Sequence, residues 1–519
     1  MDVFSIIYVA ACLLCSLVTL RYDMQMFQLS SYRYSRYFRW WFPQNILTHR
    51  KWLLVLVVLC MLNGWLSIVA VAIVVVSIYK ELTEKYKTPI VFTNRVKRLY
   101  ATAIIVTLFV PAVVAFAVGV KYMPLASALT LLLSNFVVLS ANLINTPIEK
   151  YITQWYINDA KRIIESHKSL TIIGVTGSFG KTSTKNYLAG VLSEKYNVLV
   201  TPGNFNTLLG VVRTIRAHLR PYHQLFIVEM GAKQPGDIKE ICELVHPQIG
   251  ILTAVGEMHL ETFKSFENIQ KTKFELINSL PADGLAVLNY DSQGVRDFSD
   301  IKSNCRIVAY GVENENVALR AENIVYGANG VSFTCSGSGN NDVYSSKLLG
   351  SGNLLNLLAS IAVAGELKVP VEKQKSAVSR LRPVEHRLSM RHANGITVLD
   401  DAYNSNPTGA AMAIDVLKGF AVGEGNKRII ITPGFVEMGA RQFEANKALG
   451  KHIAKGCDYA IIVNVTNREA IVSGITEGGF PSEKVYKADN LADAHVHLAS
   501  ILRVGDVVLY ENDLPDNFK

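Results

Sequence analysis

The chain is poor in cysteine, and its cysteines are not arranged for a metal site or a disulfide framework. It has seven in 519 residues, and the only close pair, Cys12 and Cys15, lies in an apolar stretch. Zinc and thioredoxin-like sites require close cysteines in a polar loop or turn. Scattered cysteines are typical of a reducing cytosol. The sequence therefore argues against zinc and predicts free thiols.

The chain also lacks a nucleic-acid-binding motif, although its net charge is +9. Twelve Lys and Arg residues lie in two segments between apolar runs, 21–51 and 80–98. Cations beside apolar runs are explained by membrane orientation and anionic headgroups. SYRYSRYFRWWF (31–42) interleaves arginine with aromatic residues; an RNA-stacking surface is one interpretation, and an anchor in the headgroup layer is the one we favour. We expect membrane lipids and no nucleic acid as partners.

Long apolar runs are absent after residue 145, and before it they are frequent. The runs 3–20, 100–120 and 124–144 each approach the length that crosses a bilayer. Run 3–20 has neither a preceding positive region nor a small-residue cleavage site, so it does not resemble a cleaved signal peptide. The sequence predicts a multi-pass region over 1–148, with three to five membrane segments.

A fourth apolar run, 52–79, has two interpretations. As one helix it would be about 42 Å long, against about 30 Å of hydrocarbon core, so it would have to tilt steeply. Alternatively, Asn63 and Gly64 form the tip of a hairpin that enters and leaves on one side. The hairpin keeps both basic segments in the cytoplasm and is therefore favoured.

A phosphate-binding loop is predicted where the soluble part begins. The β-branched run 169–175 reads as a buried strand, TGSFGKTS (176–183) follows, and an amphipathic helix comes next. Glycines let backbone N–H groups surround phosphate oxygens, Lys181 neutralises phosphate charge and Thr182 offers a hydroxyl to Mg²⁺. The spacing of the first glycine differs from the usual one, but the chemistry is retained. We expect ATP and Mg²⁺ to bind here.

Three further segments follow this loop in a fixed order: GNFN (203–206), FIVEMG (226–231) and HLETF (259–263). With the loop, they resemble the Mur ligases, whose central ATPase domain carries similar strings. The resemblance implies that Asn204 and Asn206 face the substrate, that Glu229 binds one Mg²⁺ and that His259 binds a second. Taken singly, Glu229 could be a surface charge at a strand end and His259 a core histidine.

Two more segments of the chain are similar to the family. KTKFELI (271–277) resembles the stretch that holds a carbamylated lysine, which implies modification of Lys273, with Lys271 as the near miss and an exposed helix lysine as the alternative. GSGNLLN (350–356) resembles the segment beside adenine, and Gly352 replaces its usual histidine.

The most specific string is DDAYNSNP (400–407). It is similar to the D-D-[SA]-Y-N-A-N-P motif of the subfamily that adds D-alanyl-D-alanine. The resemblance implies that Asp401 reaches the ATP ribose, that Arg387 is the hinge arginine and that Tyr403 and Asn404 line the cleft between domains. The soluble domain that grips the uridine nucleotide in this family is replaced here by apolar segments, which leaves the acceptor open.

The predicted fold class is α/β, with N-terminal transmembrane helices, a central P-loop ATPase domain with a parallel sheet and a C-terminal Rossmann-like domain. The expected domains are a membrane region at 1–148, a helical linker at 149–168, the ATP-binding domain at 169–383 and the C-terminal domain at 384–519.

The resemblance implies an ATP-dependent carboxylate–amine ligase of cell-wall precursor synthesis, held in the cell membrane with cytoplasmic catalytic domains. Its expected partners are a muropeptide or lipid-linked carboxylate and an amino acid or dipeptide such as D-alanyl-D-alanine. A membrane scaffold with a retained ATPase fold is the alternative of another class. The expected catalytic residues are Lys181, Glu229, His259 and Lys273. The expected ligands of two Mg²⁺ ions are Thr182, Glu229, His259 and carbamylated Lys273. The residues expected to hold the nucleotide are Gly177, Ser178, Gly180, Lys181, Thr182, Ser183, Asn353, Asn356, Arg387 and Asp401.

Overall fold

The computed structural model describes most of the chain. The described residues are 3–42, 69, 72–73, 75–76, 78–79, 83, 89–258, 260–298, 301–337, 340–403 and 406–514. The predicted hairpin at 52–79 lies almost wholly outside them, as do His259 and Asn404. The chain divides into two compact units, Met1–Trp155 and Tyr156–Lys519, which are described separately.

The described part of the first unit is helical. Its helices are α1 (Val3–Leu29), α2 (Tyr34–Trp41), α3 (Asn94–Ala117), a 3₁₀ turn (Val120–Tyr122), α4 (Met123–Leu132) and α5 (Ser134–Glu165), which ends in the second unit. Two stretches of the described part, Ser5–Leu29 and Asn94–Ala117, are long and apolar enough to cross a membrane. Val120–Leu132 and Ser134–Glu165, bent by 80°, add a third if the pair is one span.

The candidate span over 124–144 is not one continuous helix. The helix ends at Leu132, and the next begins at Ser134 after a bend of 80°. Ser134 donates a hydrogen bond of 2.5 Å from Oγ to Oδ2 of Asp23, which is fully buried. A buried carboxylate must be hydrogen-bonded, and a partner on α1 is invisible to local hydropathy. The bend therefore accompanies a polar contact inside an apolar unit.

A nine-stranded sheet forms the first half of the second unit. Its strands are β1 (Thr171–Thr176), β2 (Val198–Val200), β3 (Leu225–Glu229), β4 (Ile249–Leu252), β5 (Leu285–Asn289), β6 (Arg306–Gly311), β7 (Leu319–Gly327), β8 (Gly330–Gly337) and β9 (Asn340–Ser346). Their order is β2-β3-β1-β4-β5-β6-β7-β8-β9. The predicted parallel sheet is confirmed from β2 to β7, whereas β8 and β9 are antiparallel additions. Only two residues separate β7 from β8, too few for a parallel crossover.

Helices cover both faces of this sheet. They are α6 (Lys181–Leu192), α7 (Leu208–His218), α8 (Asp237–Val245), α9 (Leu260–Phe263), α10 (Phe266–Asn278), α11 (Gln293–Arg296), α12 (Ser351–Glu366) and α13 (Val371–Arg380). Along β1, Ile173 and Val175 join one core with α6, α12 and α13, while Ile172 joins the other with α7, α8 and α10. A parallel strand buried on both faces reads as a continuous apolar run, as this one does.

A six-stranded sheet forms the second half, and it confirms the Rossmann-like prediction. Its strands are β10 (Ser389–Ala393), β11 (Ile396–Asp401), β12 (Arg428–Thr432), β13 (Tyr459–Val463), β14 (Val485–Ala488) and β15 (Val507–Glu511). The order is β10-β11-β15-β12-β13-β14, and only the β10–β11 pair is antiparallel. The helices are α14 (Pro407–Lys418), α15 (Gln442–Gly456), α16 (Arg468–Glu477) and α17 (Leu491–Ile501), with 3₁₀ turns Gly439–Arg441 and Ser482–Lys484.

Strand order places the predicted phosphate loop between two neighbouring strands. β1 pairs with β3 on one side, where Val175 faces Glu229, and with β4 on the other. The carboxyl ends of parallel strands lie at the same sheet edge, which is where ligands bind in α/β folds. The loop after β1 therefore emerges beside Glu229.

Candidate active site

The loop after β1 has the backbone that its glycines predict. Gly177 and Gly180 have φ angles of 152° and 81°. A Cβ at position 177 would lie 2.1 Å from Oγ1 of Thr253, so a side chain there would force the loop away from β4. The Ser178 N–H donates to the Ala254 carbonyl at 2.7 Å. The loop is thereby held against β4, and α6 begins directly after it.

Lys181 lies folded over this loop. Its Nζ donates to the carbonyl oxygens of Gly177 at 2.7 Å and Ser178 at 3.0 Å. Burial lowers the pKa of Lys181 to about 8, the charge of Glu229 opposes that shift and Arg387 adds to it. The structure therefore places this cation on the loop predicted to hold phosphates.

Two of the predicted metal ligands meet at the end of β3. Oε1 of Glu229 accepts hydrogen bonds from Oγ1 of Thr182 at 3.1 Å and from Nδ2 of Asn206 at 3.0 Å. Mg²⁺ prefers one or two carboxylates and completes its shell with phosphate oxygens and water. The hydroxyl and carboxylate oxygens present here fit that ion. Among the residues described, no cluster of three or more His, Cys, Asp or Glu forms a site made by protein groups alone.

Lys185 is a residue of this site that the sequence motifs did not predict. Its Nζ lies 3.0 Å from Oε2 of Glu229, and both side chains are 1% exposed. It also donates to the carbonyl oxygens of Thr201 at 2.8 Å and Gly203 at 2.6 Å. Its spacing was the available signal, because a residue four positions after Lys181 lies on the same face of a helix.

Lys273 is buried on α10 and is 4% exposed, so the alternative of an exposed helix lysine is wrong. Lys271, the near miss, pairs at 2.7 Å with Glu267 on the half-exposed face. Burial, together with the charge of Lys181, lowers the pKa of Lys273 to about 7, and the charges of Glu275 and Asp237 oppose the shift. Of the two lysines, Lys273 is the one on the side of the phosphate loop.

Asn353 and Asn356 lie at the start of α12 and contact the helix that follows the loop. Oδ1 of Asn353 accepts from the Tyr187 hydroxyl at 2.9 Å, and Oδ1 of Asn356 accepts from Oγ1 of Thr184 at 3.0 Å. Ser183 is buried in the first turn of α6. These contacts hold α6 in place, and a role of the two asparagines in binding adenine stays a prediction.

Asp401 lies at the carboxyl end of β11 in the second sheet. Its Oδ1 accepts from the Leu388 N–H at 2.9 Å. Burial raises the pKa of Asp401 to about 6, and the charge of Arg387 opposes the shift. The Arg387 guanidinium lies 4.4 Å from the centre of the Tyr403 ring. The structure therefore brings together the three residues that were predicted to contact the nucleotide or line the cleft from the second sheet: Arg387, Asp401 and Tyr403.

Two contacts join the halves of the second unit beside this site. Nδ2 of Asn204 donates to the Tyr403 hydroxyl at 2.7 Å. Arg441 forms an ion pair with Glu257. The predicted substrate residues of both halves, Asn204 and Tyr403, thus meet directly. His259 and Asn404 lie outside the described residues, and their roles stay predictions.

Comparisons with known proteins match the same parts of the chain. The family model described as Mur ligase middle domain matches residues 175–364, and that described as Mur ligase, glutamate ligase domain matches 386–510. These ranges contain the phosphate loop and the strand that carries Asp401.

Two relatives of the same name illustrate the sequence match. The UDP-N-acetylmuramoyl-tripeptide–D-alanyl-D-alanine ligase of Bacillus subtilis is 29% identical over 287 residues, which are 54% of this chain and 60% of that protein. The chain thus spans less than two thirds of that relative. The ligase of the same name from Mycobacterium bovis is 32% identical over 358 residues, covering 66% of this chain and 70% of the relative.

A solved structure, the MurF ligase of Thermotoga maritima in complex with ADP, superposes with a TM-score of 0.62 at 27% identity. The match covers 69% of this chain and 80% of that one. Fold, phosphate loop, second sheet and relatives agree, and the chain belongs to the Mur ligase family.

Proposed function

We propose that the chain is an ATP-dependent carboxylate–amine ligase that joins D-alanyl-D-alanine to a muropeptide. The observation that carries the proposal is the meeting of Lys181, Thr182 and Glu229 around one glycine loop, with Asp401 and Arg387 beside it. The names of the relatives support the reaction, and the ADP of the Thermotoga relative supports the nucleotide.

The proposed reaction has two steps. A substrate carboxylate oxygen attacks the γ-phosphorus, and the bond from that phosphorus to the β-phosphate oxygen breaks. ADP departs, and the substrate is now an acyl phosphate. The amine then attacks the acyl carbon, inorganic phosphate departs, an amide forms and the amine proton is released. The loop N–H groups and Lys181 counter the charge that develops on the transferred phosphoryl group.

Thr182 and Glu229 are the residues that would hold Mg²⁺, which supplies positive charge to phosphate oxygens when it is bound. A second ion would use His259 and Lys273. We propose that Lys273 is carbamylated, which converts a cation into an anionic oxygen ligand. Its burial supports this proposal, and its lowered pKa agrees, because the neutral amine is the form that reacts with CO₂.

The contacts between the two sheets suit a reaction that must exclude water. The Asn204–Tyr403 hydrogen bond and the Arg441–Glu257 ion pair hold the halves together at the cleft. An acyl phosphate hydrolyses if water reaches it, and closure over the substrate prevents that loss. Asn204, Asn206, Tyr403 and Asn404 are the proposed substrate side of this cleft.

We further propose that the chain is held in the cell membrane as a multi-pass protein, in contact with membrane lipids and with its catalytic domains in the cytoplasm. Two apolar helical stretches, Ser5–Leu29 and Asn94–Ala117, support the anchor. They also favour a second candidate function, ligation onto a lipid-linked acceptor. A scaffold with a degenerate ATPase fold is disfavoured, because the glycine loop, Lys181 and Glu229 are all in place.

The test is a ligase assay on the full chain in lipid nanodiscs with ATP, Mg²⁺ and D-alanyl-D-alanine. Soluble UDP-muramoyl tripeptide and a lipid-linked muropeptide are supplied in parallel, and phosphate release and amide mass are measured. Product from the soluble acceptor supports the first function, and product from the lipid-linked acceptor alone supports the second. Lys181→Met is the inactive control. No metal-dependent turnover with either acceptor would end both proposals.

A further inference from the structure

We infer that Lys185 is a positioning residue that fixes the Glu229 carboxylate and the loop 201–206 to one another, so that the metal site and the substrate loop behave as one unit. This rests on the proposed function, because it assigns Glu229 to Mg²⁺ and the loop to the substrate. Lys185 is also the lysine of α6 that the proposed mechanism does not use.

The two oxygens of the Glu229 carboxylate have different neighbours. Oε2 lies 3.0 Å from Nζ of Lys185, while Oε1 accepts from Thr182 and Asn206. With one oxygen paired, the other is directed at the Thr182 hydroxyl, where the metal is expected. Both members of the ion pair are almost wholly buried, and a buried charge that loses its partner is strongly destabilising.

Lys185 also contacts the loop 201–206. The Lys185 ammonium also donates to the carbonyl oxygens of Thr201 and Gly203, where the loop begins. The far end is fixed by the Gly231 N–H, which donates to the Asn206 carbonyl at 2.7 Å. Between these points Asn204 reaches Tyr403. One cation therefore connects the metal carboxylate to the root of the segment that faces the substrate.

The surroundings of residue 185 suit a lysine better than an arginine. An ammonium is a compact charge with three rotatable donors, whereas a guanidinium is planar and presents its donors in a fixed fork. The groups around Lys185 are two carbonyl oxygens of one loop and a carboxylate oxygen at the end of β3. Arginine would keep the charge and lose this arrangement. A matched control exists in Lys195, an exposed lysine that also donates to two carbonyls, those of Leu367 and Lys368.

The experiment compares the full-length wild type with Lys185→Met, Lys185→Arg and Lys195→Met. ADP binding is measured by calorimetry across a Mg²⁺ titration, and KM for the muropeptide is measured against kcat. Lys185→Met is expected to raise the half-saturating Mg²⁺ concentration about tenfold and to raise KM for the muropeptide. ADP affinity without metal stays within about twofold, Lys185→Arg gives a smaller shift and Lys195→Met matches the wild type.

A thermal-unfolding cycle with Glu229→Gln tests whether the ion pair is the cause. Lys185→Met should lower Tm clearly in the wild type and much less in the Glu229→Gln background, because no buried charge is then left unpaired. If Lys185→Met does not fold, Lys185→Arg decides. A folded variant with unchanged Mg²⁺ dependence and unchanged KM overturns the inference. If the wild type binds no ADP in the presence of Mg²⁺, the proposed function is overturned instead. That result comes from the wild type alone, so the two failures can be distinguished.

Discussion

Two carboxylates occupy equivalent places in the two sheets of the second unit, and their surroundings differ. Glu229 ends β3, and Asp401 ends β11. Glu229 is paired with a lysine and accepts from a hydroxyl and an amide. Asp401 accepts from one backbone N–H and has its pKa raised to about 6 by burial. The same position in an α/β sheet thus yields a charged group suited to a cation and a group suited to a neutral hydroxyl.

Among variants of the two carboxylates, Glu229→Gln is expected to have the largest effect on ATP turnover. The amide keeps the shape and loses the charge that the metal requires, so ATP turnover should fall about 100- to 1,000-fold. Phosphate release across a Mg²⁺ titration measures it. An equal loss in Asp401→Asn would remove the distinction between the two carboxylates.

Lys273→Ala is expected to reduce turnover about 100-fold, because it removes a metal-side group from the same half of the site. Added formate or acetate should restore part of the activity if the lost group was a carbamate. The matched control is Lys271→Ala on the exposed face of the same helix, with turnover unchanged. Equal losses in both variants, or no rescue by either anion, would count against the carbamate.

Asp401→Asn is expected to raise KM for ATP about tenfold and to leave kcat within about threefold. The reason is that a contact to the ribose is made equally in the ground state and the transition state. Steady-state kinetics at saturating acceptor measure the split. A fall in kcat with KM unchanged would place Asp401 in the chemical step instead.

The contribution of Asp401 to stability depends on pH. Because its pKa is raised, the folded chain binds a proton at Asp401 more tightly than the unfolded chain does. The contribution of this group to stability is therefore fully present below about pH 4 and is lost as the pH rises through about 6. Relative to the wild type, Asp401→Asn should gain stability on the order of 1 to 3 kcal/mol between pH 4.5 and pH 8. Thermal unfolding at both pH values measures the change, and a constant difference would contradict the shift.

Short sequence motifs predicted the parts of the site that are formed by consecutive residues. The glycine loop and Lys181 could be identified because strand, loop and helix follow one another along the chain, whereas the role of Glu229 was implied by the resemblance. Lys185 shares a helix face with Lys181 by its spacing, but its partner Glu229 becomes visible only when β3 is known to lie beside β1. The contact between Ser134 and Asp23 beside the bend was hidden in the same way, because the two residues are 111 positions apart along the chain.

The family resemblance predicted residues that no local motif could identify. It selected Lys273 over Lys271, which burial supports. It placed Asn353 and Asn356 near adenine, which stays a prediction, and in the structure both side-chain oxygens accept hydrogen bonds from α6. The hairpin strands β8 and β9 were not predicted, because a short alternating segment carries no information about which sheet edge it joins.

The hydrogen bond between Asn204 and Tyr403 implies an order of events. Both groups are proposed to face the acceptor, so an incoming muropeptide must exchange this bond for its own, at a net cost of only about 1 kcal/mol. At the glycine loop, the nucleotide must likewise displace the two bonds that Lys181 donates to the carbonyl oxygens of Gly177 and Ser178. The Asn204–Tyr403 bond should therefore open before the acceptor is seated, and a cleft that is held shut should slow acceptor binding.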